Sequence, residues 1–265
     1  MRSLSFVILA AGLGTRMNNM VPKALTPFLG KEMVIHVYEM VKSFDPKEII
    51  LVVPEDYQMF KLLFGEKVRY CIQKEPLGTG HAVMQAITIV DYPKDVCVVN
   101  ADMPNINDAV IRSLYLEHIQ KANMITITTS FVKNSFGYGR ILRNSANEIE
   151  EIVEESDLDE RLRQINEINA GLYMFNYDWL KKYLLKLDQP DFGEYKLTDL
   201  VKFATSNGFQ ISNVEAHEQI IYGVNTGFGK LSQVRIEKNK MQQLQTNLLM
   251  SHATGVGSIT PDFIV

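Results

Sequence analysis

Phe6-Val7-Ile8-Leu9-Ala10-Ala11-Gly12-Leu13-Gly14-Thr15-Arg16 begins as a short apolar run with β-branched members and breaks at a glycine-rich turn. That is the pattern of a parallel strand covered on both faces. Related runs recur at Glu48-Ile49-Ile50-Leu51-Val52-Val53, Val68-Arg69-Tyr70-Cys71-Ile72 and Asp95-Val96-Cys97-Val98-Val99. Between and after them, apolar residues return every three or four positions over Met33 to Phe44, Tyr57 to Phe64, Gly80 to Val90 and Asn107 to Ala122, as amphipathic helices require. Strands alternating with helices at this spacing predict βαβ units: a Rossmann-like α/β fold whose mostly parallel sheet is flanked by helices.

Beyond Ala122 the pattern becomes mixed. Ile125 to Val132 alternates, Gly139 to Arg143 and Ile149 to Val153 read as half-exposed strands, and Ala170 to Phe175 reads as a core strand. Helices are expected over Leu180 to Leu187, Leu197 to Thr205 and Lys230 to about Met250. No repeat or Pro-rich linker divides the chain. The expected organisation is a βαβ half to about residue 122, a mixed β half over about 123–228, and a C-terminal helix and tail over 229–265.

The composition is that of an ordinary globular protein: 265 residues, 46% hydrophobic and 22% charged. With 27 Lys and Arg against 31 Asp and Glu, the net charge is −4, which provides no global field for a nucleic-acid backbone. The two cysteines, Cys71 and Cys97, form no CxxC pair and read as buried free thiols in a reducing compartment. No apolar run reaches the roughly 18–20 residues of a membrane span. Arg2 followed by Leu4 to Leu13 imitates a secretory signal, but the break at the glycine turn favours a buried strand and a cytoplasmic location.

The turn after the first strand is suited to an anion, because glycines let successive backbone N–H groups approach phosphate oxygens. It is not a dinucleotide fingerprint, since Met17 stands at the third glycine position, nor a P-loop, since no Gly-Lys-Ser/Thr follows. Arg16 and Lys23, of Pro22-Lys23-Ala24-Leu25, place two cations beyond the turn, where they could neutralise a nucleotide triphosphate. Gln73 closes a strand ahead of Gly78-Thr79-Gly80 and carries an amide able to read a base edge. Thr79 suits a helix N-cap, and His81 is expected to be structural though close to the ligand. Asp102 follows a strand at the edge where open α/β sheets bind ligands. An Asp in a turn before Pro is also common, so position alone leaves its role open.

These stretches carry a resemblance. The glycine turn and Pro22-Lys23-Ala24-Leu25 look like the opening of nucleotidyltransferases that make nucleoside diphosphate sugars. Gln73-Lys74-Glu75-Pro76-Leu77-Gly78-Thr79-Gly80-His81-Ala82, Gly137-Tyr138-Gly139-Arg140-Ile141, Ile152-Val153-Glu154-Glu155, Glu167-Ile168-Asn169-Ala170-Gly171, Gly193-Glu194-Tyr195-Lys196-Leu197-Thr198-Asp199 and Gly223-Val224-Asn225 follow in order. Together they resemble the uridyltransferase domain of the bacterial bifunctional uridyltransferase and acetyltransferase family that makes UDP-N-acetylglucosamine, over Leu4 to about Met250.

The resemblance implies nucleotide contacts at Leu9, Ala10, Ala11, Gly12, Gly14, Gln73, Gly78 and Thr79, and sugar contacts at Asn100, Gly139, Glu154, Asn169 and Asn225. It implies catalytic roles for Arg16, Lys23 and Asp102, and Mg²⁺ held by Asp102 and Asn225. The substrates would be UTP and an N-acetylhexosamine 1-phosphate, with no nucleic acid or membrane partner and with a homo-oligomer possible. The family usually has Gly-Asp preceded by Tyr or His where this chain has Asn100-Ala101-Asp102, which adds a methyl near the sugar or metal. A nucleotidyltransferase for another sugar phosphate and a non-catalytic nucleotide-sugar-binding module are the alternatives. Arg140, within the third motif, lies near the anionic substrates but is expected in a surface salt bridge. Glu154 lies in an acidic run that would ordinarily form a solvated face. Ser251 to Val265 contain no hexapeptide repeat, so the chain is expected to lack the acetyltransferase activity of bifunctional relatives.

Overall fold

The computed structural model describes residues 3–12, 22–187 and 193–216. Gly14, Arg16, Asn225 and the helix expected from Lys230 to Met250 lie outside the described residues.

The apolar runs form the centre of a sheet with nine strands among the described residues. β1 (Leu4–Leu9) pairs in parallel with β4 (Glu48–Val53) and β6 (Asp95–Asn100), and β5 (Arg69–Ile72) extends β4. Val7 lies level with Ile50 on one side and Val98 on the other. β2 (Pro27–Phe28) and β3 (Lys31–Glu32) make a separate small ribbon. Beyond β6 come β10 (Glu167–Asn176), antiparallel to β6, then β7 (Ile125–Phe131) and β11 (Ile211–Glu215). β8 (Arg140–Arg143) and β9 (Ile149–Val153) form a hairpin attached to β10. The parallel character therefore belongs to the first half and the mixed character to the second.

Successive side chains of each strand face opposite sides of the sheet, and each side is covered by helices. Phe6, Ile8, Leu51 and Val99 pack against α1 (Met33–Lys42), α2 (Gln58–Phe64) and α4 (Asp108–Gln120). Val7, Ile50, Val98 and Ile127 pack against α3 (Thr79–Ile87), α5 (Tyr177–Tyr183) and α6 (Asp199–Ser206). The alternation in β7 does not expose its polar members. Thr126 is buried, its hydroxyl accepting from Asn123 Nδ2 at 2.9 Å and lying 2.9 Å from His118 Nδ1.

The helix expected from Leu180 instead begins at Tyr177, where the Asn176 carboxamide accepts from the Trp179 N–H at 3.0 Å, and tightens to a 3₁₀ turn at Leu184–Lys186. Cys71 and Cys97 are both free and buried. Burial pushes the Cys71 thiol up to about 11 and the Cys97 thiol higher still.

Candidate active site

Side chains and backbone from the carboxyl ends of β1, β5 and β6 meet in one cavity of about 410 Å³. Backbone ladders set its floor: Ala10 N–H donates to Val52 O at 2.8 Å, Gln73 N–H to Val53 O at 2.9 Å and Ala101 N–H to Leu9 O at 2.9 Å. Around it stand Leu9, Ala10, Ala11, Gly12, Lys23, Gln73, Gly78, Thr79, Asn100 and Asp102. The strand and turn residues expected to meet the nucleotide, Gly14 apart, thus share one cavity with Lys23 and Asp102. Because the Ala10 N–H is spent on the sheet, the N–H groups left for an anion at this turn belong to the residues after it. At Gly12 no described atom lies within 4 Å of where a Cβ would stand.

Lys23, in a short 3₁₀ turn at Lys23–Leu25, reaches across to Asp102, Nζ to Oδ2 being 2.5 Å. Tyr138 adjoins this pair: its phenol is pushed above its ordinary value, first by burial and second by the Asp102 carboxylate. Ala101 is buried among Val99, Leu172 and Met174, so its methyl serves the core while bordering the cavity.

Gln73 lies one residue past the end of β5 and is buried. Its Nε2 donates to Gly78 O at 3.1 Å and lies 3.1 Å from His81 Nδ1. Thr79 is not the N-cap. Gly78 occupies that position with φ +95°, and the Thr79 hydroxyl accepts from the Leu197 N–H at 3.2 Å. A tertiary partner 118 residues away has taken the oxygen that local sequence would assign to the helix end.

The segment carrying that partner, Gly193 to Asp199, builds part of the site. Tyr195 N–H donates to Leu77 O at 2.8 Å and Gly80 N–H to Tyr195 O at 2.8 Å. A Cβ at Gly78 would lie 2.6 Å from Tyr195 O and 2.7 Å from Glu194 Cβ, so only glycine allows this approach. Three residues on, Thr198 Oγ1 donates to Glu154 Oε1 at 2.9 Å. No property of Thr198 alone distinguishes it from a helix-start threonine, which is why the sequence does not reveal it.

Gly139, Glu154 and Asn169 converge. Asn169 N–H donates to Gly139 O at 2.9 Å, and a Cβ at Gly139 would sit 3.3 Å from Glu154 Oε2 and 3.6 Å from Asn169 Cβ. Asn169 is oriented by donating to Tyr173 Oη at 2.6 Å and accepting from the Gly171 N–H at 3.1 Å. Between Asn169 and Tyr173 the β10–β7 register slips, and Gly171, at φ +77°, leaves room for Asn100, whose Nδ2 would be 3.0 Å from a Cβ there. Asn100 also lines the nucleotide-side cavity, so the two residue groups adjoin. Glu154 does not lie on a solvated face: burial raises its carboxyl above the ordinary value, only partly countered by the Thr198 hydroxyl.

Arg140 is a correction. It is 2% exposed, donates to Tyr138 O and pairs with Glu155 Oε2 at 3.1 Å, so it buttresses the loop behind the site and forms no surface salt bridge. The Gly137 N–H donates to the same Glu155 oxygen at 3.0 Å, which fixes the turn before Gly139.

Among the described residues no three His, Cys, Asp or Glu side chains cluster to cage a metal ion. Asp102 alone suits a different arrangement, since Mg²⁺ commonly takes one or two carboxylates and completes its shell with water and substrate phosphates. The Lys23 ammonium on Oδ2 marks that carboxylate as a cation acceptor at the cavity. Among the described residues no helix is long and apolar enough to cross a membrane.

Residues 5–219 match the nucleotidyl transferase family model, and the chain belongs to that family. A shorter match, to the aromatic amino acid lyase model, covers residues 201–265. The chain is 37% identical over 227 residues to the bifunctional protein GlmU of Caldanaerobacter subterraneus subsp. tengcongensis, covering 85% of this chain and 50% of that protein. It is 34% identical over 259 residues to the bifunctional protein GlmU of Thermosipho africanus, covering 97% and 54% respectively. The chain thus spans about half the length of the curated relatives it matches. Among solved structures, UDP-glucose pyrophosphorylase complexed with UDP-glucose superposes with a TM-score of 0.69 at 18% identity, covering 80% of this chain and 90% of that one, a likeness of fold.

Proposed function

We propose that the chain is a sugar-phosphate nucleotidyltransferase that forms UDP-N-acetylglucosamine and pyrophosphate from UTP and N-acetylglucosamine 1-phosphate. The observation that carries this reading is the single cavity shared by Gln73, the Ala11-Gly12 turn, Lys23 and Asp102, bordered through Asn100 by the Gly139, Glu154 and Asn169 group. Family membership and the GlmU relatives support it.

In this reading Gln73 and the backbone of Ala11, Gly12 and Gly78 read the base, and Leu9, Ala10 and Thr79 shape its pocket. Glu154 accepts from sugar hydroxyls, Asn169 donates and accepts, and Gly139 leaves the sugar space. A sugar-phosphate oxygen is ionised near neutral pH, so no general base is needed. That oxygen attacks the α-phosphorus of UTP; the new P–O bond forms as the bond to the β-phosphate oxygen breaks, and pyrophosphate leaves with the electron pair. Lys23, with Arg16 beyond the described residues, neutralises the leaving group, and the fixed strand ends hold the reactants in line. Asp102, with Asn225 beyond the described residues, would hold Mg²⁺, which when bound supplies charge neutralisation on the phosphates.

The test is pyrophosphate release with UTP, dTTP and CTP crossed against hexose and N-acetylhexosamine 1-phosphates. UTP with N-acetylglucosamine 1-phosphate should give the highest kcat/KM. Higher turnover of another pair would reassign the substrate, and nucleotide binding without release would make the chain a binding module.

A further inference from the structure

Gln73 has an amide whose two ends are chemically opposite, and the structure determines which end the cavity meets. Gly78 O, a carbonyl, can only accept, so the amide atom 3.1 Å from it is the nitrogen. The second hydrogen of that nitrogen points to His81 Nδ1, also at 3.1 Å, which must then present its lone pair. His81 Nε2 consequently bears the hydrogen. The atom 3.1 Å from it is the Gln85 amide nitrogen, itself a donor; that amide makes no second bond to a described residue, and turned over about its terminal bond it presents its oxygen to the Nε2–H. The imidazole is held from the side by the Tyr195 ring, stacked at a centroid distance of 6.1 Å and an interplanar angle of 28°. With Nε2 spent twice, Gln73 Oε1 is the amide atom left for a ligand, and no described residue donates to it.

We propose that His81 is a positioning residue for base selection: by taking the Gln73 amide hydrogen on Nδ1, it keeps an acceptor, never a donor, turned to the base. An acceptor there pairs with a pyrimidine whose ring N3 carries hydrogen, as in uracil and thymine, and is unpaired against cytosine, whose N3 is itself an acceptor. The inference rests on the reading of the cavity as a nucleotide site and adds to it the group that enforces the choice.

The experiment measures UTP and CTP binding by titration calorimetry for the wild-type chain, His81→Leu and His81→Asn, with pyrophosphate release followed separately. The wild-type chain should favour UTP. His81→Leu should reduce the UTP-to-CTP affinity ratio about tenfold, the worth of one oriented hydrogen bond, with the KM for UTP rising more than kcat falls. His81→Asn, whose Oδ1 can stand where Nδ1 stood, should restore most of the ratio. Because Asn is small and polar, this rescue also separates lost orientation from a damaged fold. An unchanged ratio in His81→Leu, no recovery in His81→Asn, or equal wild-type affinity for UTP and CTP would overturn the inference. Selective UTP binding without pyrophosphate release would instead overturn the catalytic reading and leave the role of His81 in base selection standing.

Discussion

Lys23 Nζ lies 2.5 Å from Asp102 Oδ2, joining across 79 residues the cation expected at the leaving group and the carboxylate expected at the metal. Their side chains are 48% and 31% exposed, and an exposed pair of this kind contributes roughly 0–1 kcal/mol to stability. Lys23→Ala and Asp102→Ala should therefore leave the thermal midpoint nearly unchanged while each lowers pyrophosphate release by about 10²–10³-fold. Near-normal release by both variants would remove them from the mechanism.

Gly78→Ala should damage nucleotide binding and stability together. At φ +95° with a Cβ only 2.6 Å from Tyr195 O, alanine must strain the turn or displace the Glu194-Tyr195 backbone, at about 1–3 kcal/mol. Thermal unfolding and a UTP titration should both shift; an unaffected UTP affinity would show that this contact does not shape the nucleotide pocket.

Glu154 gives a pH signature. Its carboxyl is raised above the ordinary value of 4.5, chiefly by burial. A raised value means that the folded state holds the proton more tightly than the unfolded chain. The group's contribution therefore favours folding below about 4.5 and is lost as the pH climbs through the folded value. Glu154→Gln removes that loss, so its stability relative to the wild-type chain should improve between about pH 4 and pH 7, while the KM for sugar phosphate rises. Urea midpoints at the two pH values check the first part, and an equal offset at both would refute it.

Arg140→Ala should cost about 2–3 kcal/mol, less than the loss of a fully enclosed pair because Glu155 reaches solvent. Glu155 keeps 21% of its side-chain surface exposed, against 2% for Arg140. Urea denaturation distinguishes this from the roughly 0–1 kcal/mol of a surface bridge.

Cys71 and Cys97 should be silent toward an aromatic disulfide reagent in the native protein at neutral pH and react fully in urea. Both thiols are buried and their ionisation is disfavoured. Rapid native labelling of either would contradict their placement.

What could be read from the sequence follows a physical division. Runs such as Phe6 to Leu9 and Val96 to Val99 declare themselves because a strand covered on both faces has no polar face to confuse it. Asp102 is visible for the same reason, since it follows such a run, whereas Gln73 follows the half-exposed edge strand β5 and is marked instead by the Gly78-Thr79-Gly80 turn after it. The start of β10 is less visible: Glu167 and Asn169 are polar, and their place in the sheet depends on Arg143, whose guanidinium grips Glu167 at 2.6 Å and 2.7 Å, and on Tyr173. The burial of Arg140 is hidden because its partner lies across a hairpin, and the use of the Thr79 hydroxyl is hidden because its donor is Leu197. Local sequence shows what a residue can do; distant chain decides which of those things it does.

β10 carries this division through the molecule. Its ten residues are hydrogen-bonded to β6 along Leu172–Asn176 and to β7 along both arms, while Asn169 ends the first β7 arm and Gly171 sits in the register slip that follows it. One continuous ladder thus joins the strand that ends at Asn100 to the loop that presents Gly139. The described halves cannot melt independently without tearing that ladder, so heat or urea should take them apart in a single cooperative step, and a substitution such as Gly171→Val should be felt at both ends of it.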